Sequence, residues 1–137
     1  MNPFKLAILI SGNGSNLQAI IDKFQNDKLI EISCVLSNKK DAFGLTRASN
    51  ANIDNYFIDH KDFQSRQDFE SKLISILESY KPDLVVLAGF MRILSEVFVN
   101  KYLGKLINIH PSLLPKYKGL ETHKKVLDNN DKYHGVT

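Results

Sequence analysis

Asn108 and His110 are the pair of side chains in this sequence best suited to chemistry. Alternate residues of a strand point to the same side, so an amide and an imidazole would face one site. Pro111 favours an extended backbone at His110. An imidazole moves protons near neutral pH, and an amide donates to a developing oxyanion. The pair predicts attack of an amine on a carbonyl, unless both side chains only hydrogen-bond the loop backbone.

A second candidate site is the loop SGNGSN at residues 11–16. Its glycines permit a tight turn and close backbone approach, and the helix that follows offers unpaired N–H groups and a positive dipole end. Ser15 and Asn16 add side-chain donors, so the loop predicts binding of an anion such as a phosphate monoester. Leu17 breaks the dinucleotide fingerprint, and the Walker motif lacks its Gly-Lys-Ser/Thr. A plain glycine turn with a Ser or Asn cap remains the alternative.

Apolar strand-like runs alternate with amphipathic helical stripes around these loops. We predict strands at 6–10, 30–36, 56–58, 84–88 and 106–109, and helices at 16–24, 41–51, 67–80, 95–102 and 122–127. Ser95 is the expected N-cap of the fourth helix. The alternation predicts an α/β fold: an open, mainly parallel twisted sheet with helices on both faces, in one domain over residues 1–137. Ligands of such folds bind at the carboxyl ends of the strands.

Composition narrows the class of protein. Hydrophobic residues make up 43% and charged residues 24%, which suits a packed core. The net charge of +3 is too small to predict nucleic-acid binding. The longest apolar stretch, at 84–90, is too short to cross a membrane. We therefore expect a cytoplasmic protein that binds small molecules.

The cysteine and the histidines exclude two further kinds of site. Cys34 is the only cysteine, so no internal disulfide is possible, and its apolar surroundings predict a buried thiol in a reducing compartment. The four histidines do not show metal-ligand spacing, and we expect no bound metal.

Four segments together resemble the folate-dependent phosphoribosylglycinamide formyltransferase family. They are ILISGNGSNLQAI (8–20), SNKKDAFGLTRA (37–48), PDLVVLAGFMRILS (82–95) and INIHPSLLPKYKGLETH (107–123). The resemblance covers nearly the whole chain in the expected order and implies a Rossmann-like formyltransferase fold. It also implies transfer of the formyl group of 10-formyltetrahydrofolate, the co-substrate, to the amine of 5-phosphoribosylglycinamide in purine biosynthesis, by a monomer or homodimer.

The resemblance implies a role for each matching residue. The phosphate of the ribonucleotide would be held by Gly14, Ser15 and Asn16. The folate would be held by Arg66 and by the backbone of Met91, Arg92, Ile93 and Leu94. Asn108 would contact the folate and stabilise the tetrahedral intermediate, with His110 as the proton donor. For Arg66 the alternative is a solvated residue at a helix start, and for 91–94 it is ordinary packing.

One departure from the family and two rival interpretations stay open at this point. Family members continue beyond the equivalent of residue 137 with an aspartate that orients the histidine, so we expect the 137-residue chain to be C-terminally incomplete and inactive. The sibling enzymes, methionyl-tRNA formyltransferase and formyltetrahydrofolate hydrolase, carry a related Asn-x-His-Pro-Ser loop. A non-catalytic nucleotide- or folate-binding fragment is the remaining alternative.

Overall fold

A computed structural model describes residues 2–109, 116, 122–131, 133 and 137, with only the backbone described at 122 and 123. The chain divides into two compact units, Met1–Ile107 and Asn108–Thr137. The first unit contains nearly all of the sheet and the helices that pack on it. Its fold is set by strands and helices that alternate along the chain.

The described strands form a five-stranded sheet in the order β3-β2-β1-β4-β5. The strands are β1 (Phe4–Ile10), β2 (Ile30–Ser37), β3 (Asp54–Phe57), β4 (Leu84–Ala88) and β5 (Leu106–Ile109). The helices are α1 (Ser15–Phe24), α2 (Phe43–Asn50), α3 (Arg66–Tyr80), α4 (Glu96–Lys101) and α5 (Thr122–Asp128), with a 3₁₀ turn at His60–Asp62. The β1–β2, β1–β4 and β2–β3 pairs are parallel. The predicted fold class is confirmed.

Strand β1 lies at the centre of the sheet. Ala7 pairs with Cys34 of β2 on one side and with Val85 of β4 on the other. The chain therefore proceeds outward from β1 through β2 to β3 and then returns to the opposite side of β1. This reversal of strand order makes the carboxyl ends of β1 and β4 a topological switch point, where α/β proteins bind ligands.

Both faces of the sheet are buried against helices, because alternate residues of β1 point to opposite sides. Ala7 and Leu9 belong to one core cluster with Phe69 of α3 and Phe98 of α4. On the other face Ile10 packs against Gly44 of α2. All these β1 side chains are fully buried, which explains the continuous apolar run of a central parallel strand.

The structure differs from the prediction mainly at the third strand. We predicted residues 56–58, whereas β3 spans Asp54–Phe57 and Ile58 follows it. Edge strand β3 is largely solvent-exposed, so apolar residues do not mark its start. The 3₁₀ turn was also missed: Asp59 accepts a hydrogen bond from the Lys61 N–H there. The predicted cap is confirmed, since the Ser95 side chain accepts from the Phe98 N–H.

Two observations concern the described residues alone. None of their helices has the length and apolar character that crossing a bilayer requires. Their histidine, cysteine, aspartate and glutamate side chains do not gather in any group of three or more that could hold a metal ion.

Candidate functional site

The first loop joins β1 to α1 and ends at the exposed N-terminus of that helix. Gly14 precedes the helix in the left-handed conformation, with φ 81° and ψ 29°. Its carbonyl accepts the first helical hydrogen bond, from the Gln18 N–H at 2.8 Å. The N–H groups before Gln18 therefore have no intrahelical partner. Ser15 and Asn16 are exposed there, and the first turn carries no acidic residue.

Helix α2 supports this loop through Gly44, which lies against both glycines of the loop. The Gly44 N–H donates to the Gly12 carbonyl at 3.1 Å. A Cβ on Gly14 would lie 2.7 Å from the Gly44 Cα, closer than real Cβ atoms approach other atoms. Glycine at 14 is thus required both by its positive φ and by the closeness of α2.

Arg47 of α2 holds the loop from the side. Its Nε donates to the Asn13 carbonyl at 2.8 Å, and a terminal nitrogen donates to Asn13 Oδ1 at 2.7 Å. The other terminal nitrogen donates to Gln18 at 3.3 Å, and the guanidinium lies over the Phe43 ring. Sequence reasoning missed this residue, since Arg47 lies 34 positions from Asn13 and no local pattern marks the pair.

The second loop, residues 89–95, begins beside the first. The Met91 N–H donates to Ser11 Oγ at 2.8 Å, and the Ser11 hydroxyl donates to Asn38 Oδ1 at 2.5 Å. Ser11 and Asn38 are each only 3% exposed. The carboxyl ends of β1 and β2 and the loop after β4 are therefore joined by one buried hydroxyl group.

The same loop is held at its end by Glu70 of α3. The Ser95 N–H donates to Glu70 Oε2 at 2.7 Å, and the Ser95 hydroxyl donates to Glu70 Oε1. Between the two attachments, Met91 and Ile93 are 54% and 82% exposed, while Arg92 and Leu94 are half-buried. The loop thus presents the apolar side chains of Met91 and Ile93 to solvent, where they are accessible to a ligand.

Arg66 is the first residue of α3 and is exposed. The preceding residue, Ser65, caps the helix by accepting from the Asp68 N–H at 3.1 Å. Arg66 forms no hydrogen bond or ion pair with other described residues, so its charge is available to a ligand. The structure does not bring it to either loop by a direct contact.

Of the predicted catalytic pair, the structure describes only Asn108. Asn108 lies on β5, is exposed and belongs to the second unit. His110 lies outside the described residues. The joint action of the amide and the imidazole remains a prediction.

The chain matches the family model described as formyl transferase over residues 4–137. It is 53% identical over 133 residues to phosphoribosylglycinamide formyltransferase of Escherichia coli, covering 96% of this chain and 63% of that protein. It is 48% identical over 136 residues to the trifunctional purine biosynthetic protein adenosine-3 of Chironomus tentans, covering 97% of this chain and 10% of that one.

A solved structure shows the same fold. Phosphoribosylglycinamide formyltransferase from Coxiella burnetii superimposes with a TM-score of 0.93 at 54% identity, over 98% of this chain and 64% of that chain. This chain therefore spans slightly less than two thirds of the length of these bacterial relatives.

Proposed function

The chain belongs to the formyl transferase family, and from that premise we propose that its protein transfers the formyl group of 10-formyltetrahydrofolate to the amine of 5-phosphoribosylglycinamide. The names of the bacterial relatives, at 53% and 54% identity, support this choice of substrate. The observation that carries the proposal is the pair of neighbouring loops at the carboxyl ends of β1 and β4. One suits a phosphate and the other suits a heterocycle.

The ribonucleotide phosphate is proposed to bind at Gly14, Ser15 and Asn16. The left-handed Gly14 and the unpaired N–H groups of the first α1 turn support this assignment, because they favour an anion. Arg47 holds Asn13 with two hydrogen bonds and adds a positive charge close to the same loop.

The folate is proposed to bind along Met91, Arg92, Ile93 and Leu94, with Arg66 pairing with a carboxylate at its distal end. The exposed Met91 and Ile93 side chains fit an aromatic ring system. The backbone groups of residues 92–94, which form no hydrogen bond with other described backbone groups, offer donors and acceptors to its edge. The exposed guanidinium of Arg66 forms no hydrogen bond or ion pair with the other described residues and fits an anionic group. The residues present therefore fit the co-substrate.

The chemistry is proposed to lie with Asn108 and His110. The amine of phosphoribosylglycinamide attacks the formyl carbonyl, and the Asn108 amide donates to the oxygen on which negative charge develops. As the bond between the formyl carbon and the folate nitrogen breaks, His110 moves the proton from the attacking amine to that nitrogen, which leaves as part of tetrahydrofolate. The role proposed for Asn108 is consistent with its exposure on β5.

A substrate panel tests the proposal. The purified protein is incubated with 10-formyltetrahydrofolate and phosphoribosylglycinamide, aminoacylated initiator tRNA, or buffer alone, and formylated products are identified by mass spectrometry. In a protein extended to the full length of the bacterial relatives we expect formylation of phosphoribosylglycinamide, and a loss of roughly 100-fold or more in its Asn108→Ala and His110→Ala variants. We expect the 137-residue chain alone to be inactive. Formylation of the tRNA, or formate release without an acceptor, would favour a sibling enzyme. Binding of both ligands without transfer would favour a non-catalytic module.

A further inference from the structure

We propose that two buried side chains, Ser11 and Glu70, are positioning residues that hold loop 89–95 in the shape that binds the folate. The inference rests on the proposed function and deepens it. Neither residue belongs to loop 89–95: Ser11 follows β1, and Glu70 lies on α3. Each acts through a hydrogen bond to the loop backbone, at opposite ends of the segment that presents Met91 and Ile93.

The loop has little other support for its backbone. Within the described residues, no backbone-to-backbone hydrogen bond joins Phe90–Leu94 to another segment. Gly89 has a φ of 78°, so the chain turns sharply as it leaves β4. Phe90 and Leu94 pack against the core, whereas Ile93 is 82% exposed and gains nothing from burial. The orientation of the backbone between them is therefore left to side-chain anchors.

Ser11 is the anchor near the start of the loop. Its hydroxyl accepts from the Met91 N–H and donates to Asn38, so both of its roles are used and its orientation is set. Asn38 is buried directly after the end of β2, one strand farther from the loop. Removing the hydroxyl would leave the Met91 N–H and the Asn38 amide oxygen without these partners, which is costly in a buried site.

Glu70 is the anchor at the end of the loop. A carboxylate that is 3% exposed is rare, and both of its oxygens accept from Ser95. Capping of α4 requires only that the Ser95 hydroxyl accept from the Phe98 N–H. The carboxylate adds something a cap does not need: it orients both the backbone and the hydroxyl of Ser95 where the loop ends.

The first loop has its own anchors, which makes the inference selective. Gly12 is held by the Gly44 N–H and Asn13 by Arg47. Loss of the Ser11 hydroxyl should therefore disturb loop 89–95 far more than the first loop. Folate binding should weaken while ribonucleotide binding is kept.

Ser37→Ala is a matched control for Ser11→Ala. Ser37 is also a buried serine at the carboxyl end of a strand, where it pairs with Ile10, the residue before Ser11. Its hydroxyl also makes two hydrogen bonds, but both are to the backbone of Lys39. The two variants remove the same group from similar surroundings, and only one removes a contact to Met91.

The test measures the dissociation constants of tetrahydrofolate and phosphoribosylglycinamide, and amide hydrogen exchange of residues 89–95, in the purified protein. We expect Ser11→Ala to weaken tetrahydrofolate binding about tenfold and ribonucleotide binding less than about twofold. Exchange at Met91 should accelerate about tenfold or more in this variant. Ser37→Ala should change neither affinity by more than about twofold. Glu70→Leu should behave like Ser11→Ala, and Glu70→Gln, which keeps an acceptor oxygen, should recover most of the affinity.

Three results would overturn the inference. The first is equal tetrahydrofolate affinity in Ser11→Ala and Ser37→Ala. The second is unchanged amide hydrogen exchange at Met91 in Ser11→Ala. The third is failure of the unsubstituted protein to bind tetrahydrofolate, which would overturn the folate part of the proposed function as well. If Ser11→Ala does not fold, Ser11→Cys, which replaces the hydroxyl by a weakly hydrogen-bonding thiol, is measured instead with the same expected results. Binding by the unsubstituted protein with no effect of Ser11→Ala overturns only the positioning role.

Discussion

At the scale of single residues, the first loop depends on a glycine that cannot be exchanged and on another that can. Gly14 has a positive φ and lies against Gly44, whereas a Cβ on Gly12 would meet nothing within 4 Å. Both glycines look alike in the SGNGSN segment. Their difference comes from the helix that packs on one of them.

Substitution of these glycines should therefore have unequal effects. We expect Gly14→Ala to lower the free energy of unfolding by about 1 to 3 kcal/mol, because of backbone strain and the contact at 2.7 Å with Gly44. Gly12→Ala should change it by less than about 0.5 kcal/mol. Urea unfolding followed by circular dichroism measures both. Equal losses in the two variants would contradict the role of α2 contact at Gly14.

Cys34 is fully buried as predicted, and this sets a pH dependence of stability. Burial, with a smaller contribution from the charge of Asp54, raises the pKa of its thiol from 9.0 to about 12. The thiol thus stays neutral in the fold, while the unfolded chain ionises above pH 9. The contribution of the neutral buried thiol to the free energy of unfolding is fully present below pH 9 and is lost as the pH rises toward 12.

Cys34→Ala should remove this part of the alkaline loss of stability. From about pH 8 to about pH 10, the unsubstituted protein should lose about 1.4 kcal/mol more than the variant does. Urea unfolding at each pH gives the free energy of unfolding. The quantity compared is the fall in that free energy between the two pH values within each protein. Tyr80 and Tyr102, whose pKa values are also raised chiefly by burial, leave the same residual loss in both proteins. Parallel pH profiles would count against a neutral buried thiol.

At the scale of elements, α2 serves as a support for the loop after β1. It supplies the Gly44 N–H to Gly12 and the Arg47 guanidinium to Asn13. The helix is short, at 8 residues, and its positions 44 and 47 lie on one side of it. A helix that follows β2 thereby shapes a loop that follows β1.

Arg47→Gln should weaken phosphoribosylglycinamide binding about tenfold, or about 1.4 kcal/mol, because the bonds to Asn13 lose their charged donor. Tetrahydrofolate binding should change less than about twofold. Arg66→Gln is the matched control with the opposite expectation, a weaker folate and an unchanged ribonucleotide. Isothermal titration calorimetry with each ligand distinguishes them. Equal effects of the two variants on both ligands would argue against separate sites.

At the scale of the whole molecule, the first unit is stabilised by cores on both faces of the sheet. One cluster combines the alternate side chains of β1, β2 and β4 with α3 and α4. Leu77 of α3 lies within it and is fully buried, whereas Leu103 after α4 is 76% exposed. Because the two side chains are identical, a difference in stability between their alanine variants reports the packing at each position.

Leu77→Ala should lower the free energy of unfolding by about 2 to 5 kcal/mol, because it removes buried methyl groups and leaves a cavity. Leu103→Ala should cost less than about 0.5 kcal/mol. Thermal and urea unfolding of both variants provide the measurement. A large loss in Leu103→Ala would show that this exposed side chain is covered in the protein.

Much of the fold follows from the sequence because the signals for strands and helices are local. The apolar runs at 6–10 and 84–88 indicate buried strands, and the Ser95 cap marks the start of α4. The SGNGSN segment indicates an anion-binding turn before α1. Edge strand β3 escaped precise prediction, since an exposed strand lacks the apolar pattern on which prediction relies.

The sequence by itself predicted most of the elements, the loops after β1 and β4 that are proposed to bind ligands and, through the resemblance to a family, the residues expected to touch the substrates. Only the tertiary structure decided what holds those loops in place. Arg47 reaches Asn13 across 34 positions, Glu70 reaches Ser95 across 25, and Met91 reaches Ser11 across 80. Periodicity and capping report local backbone conformation and burial. They carry no information on which distant polar groups meet, because strand order and helix packing decide that.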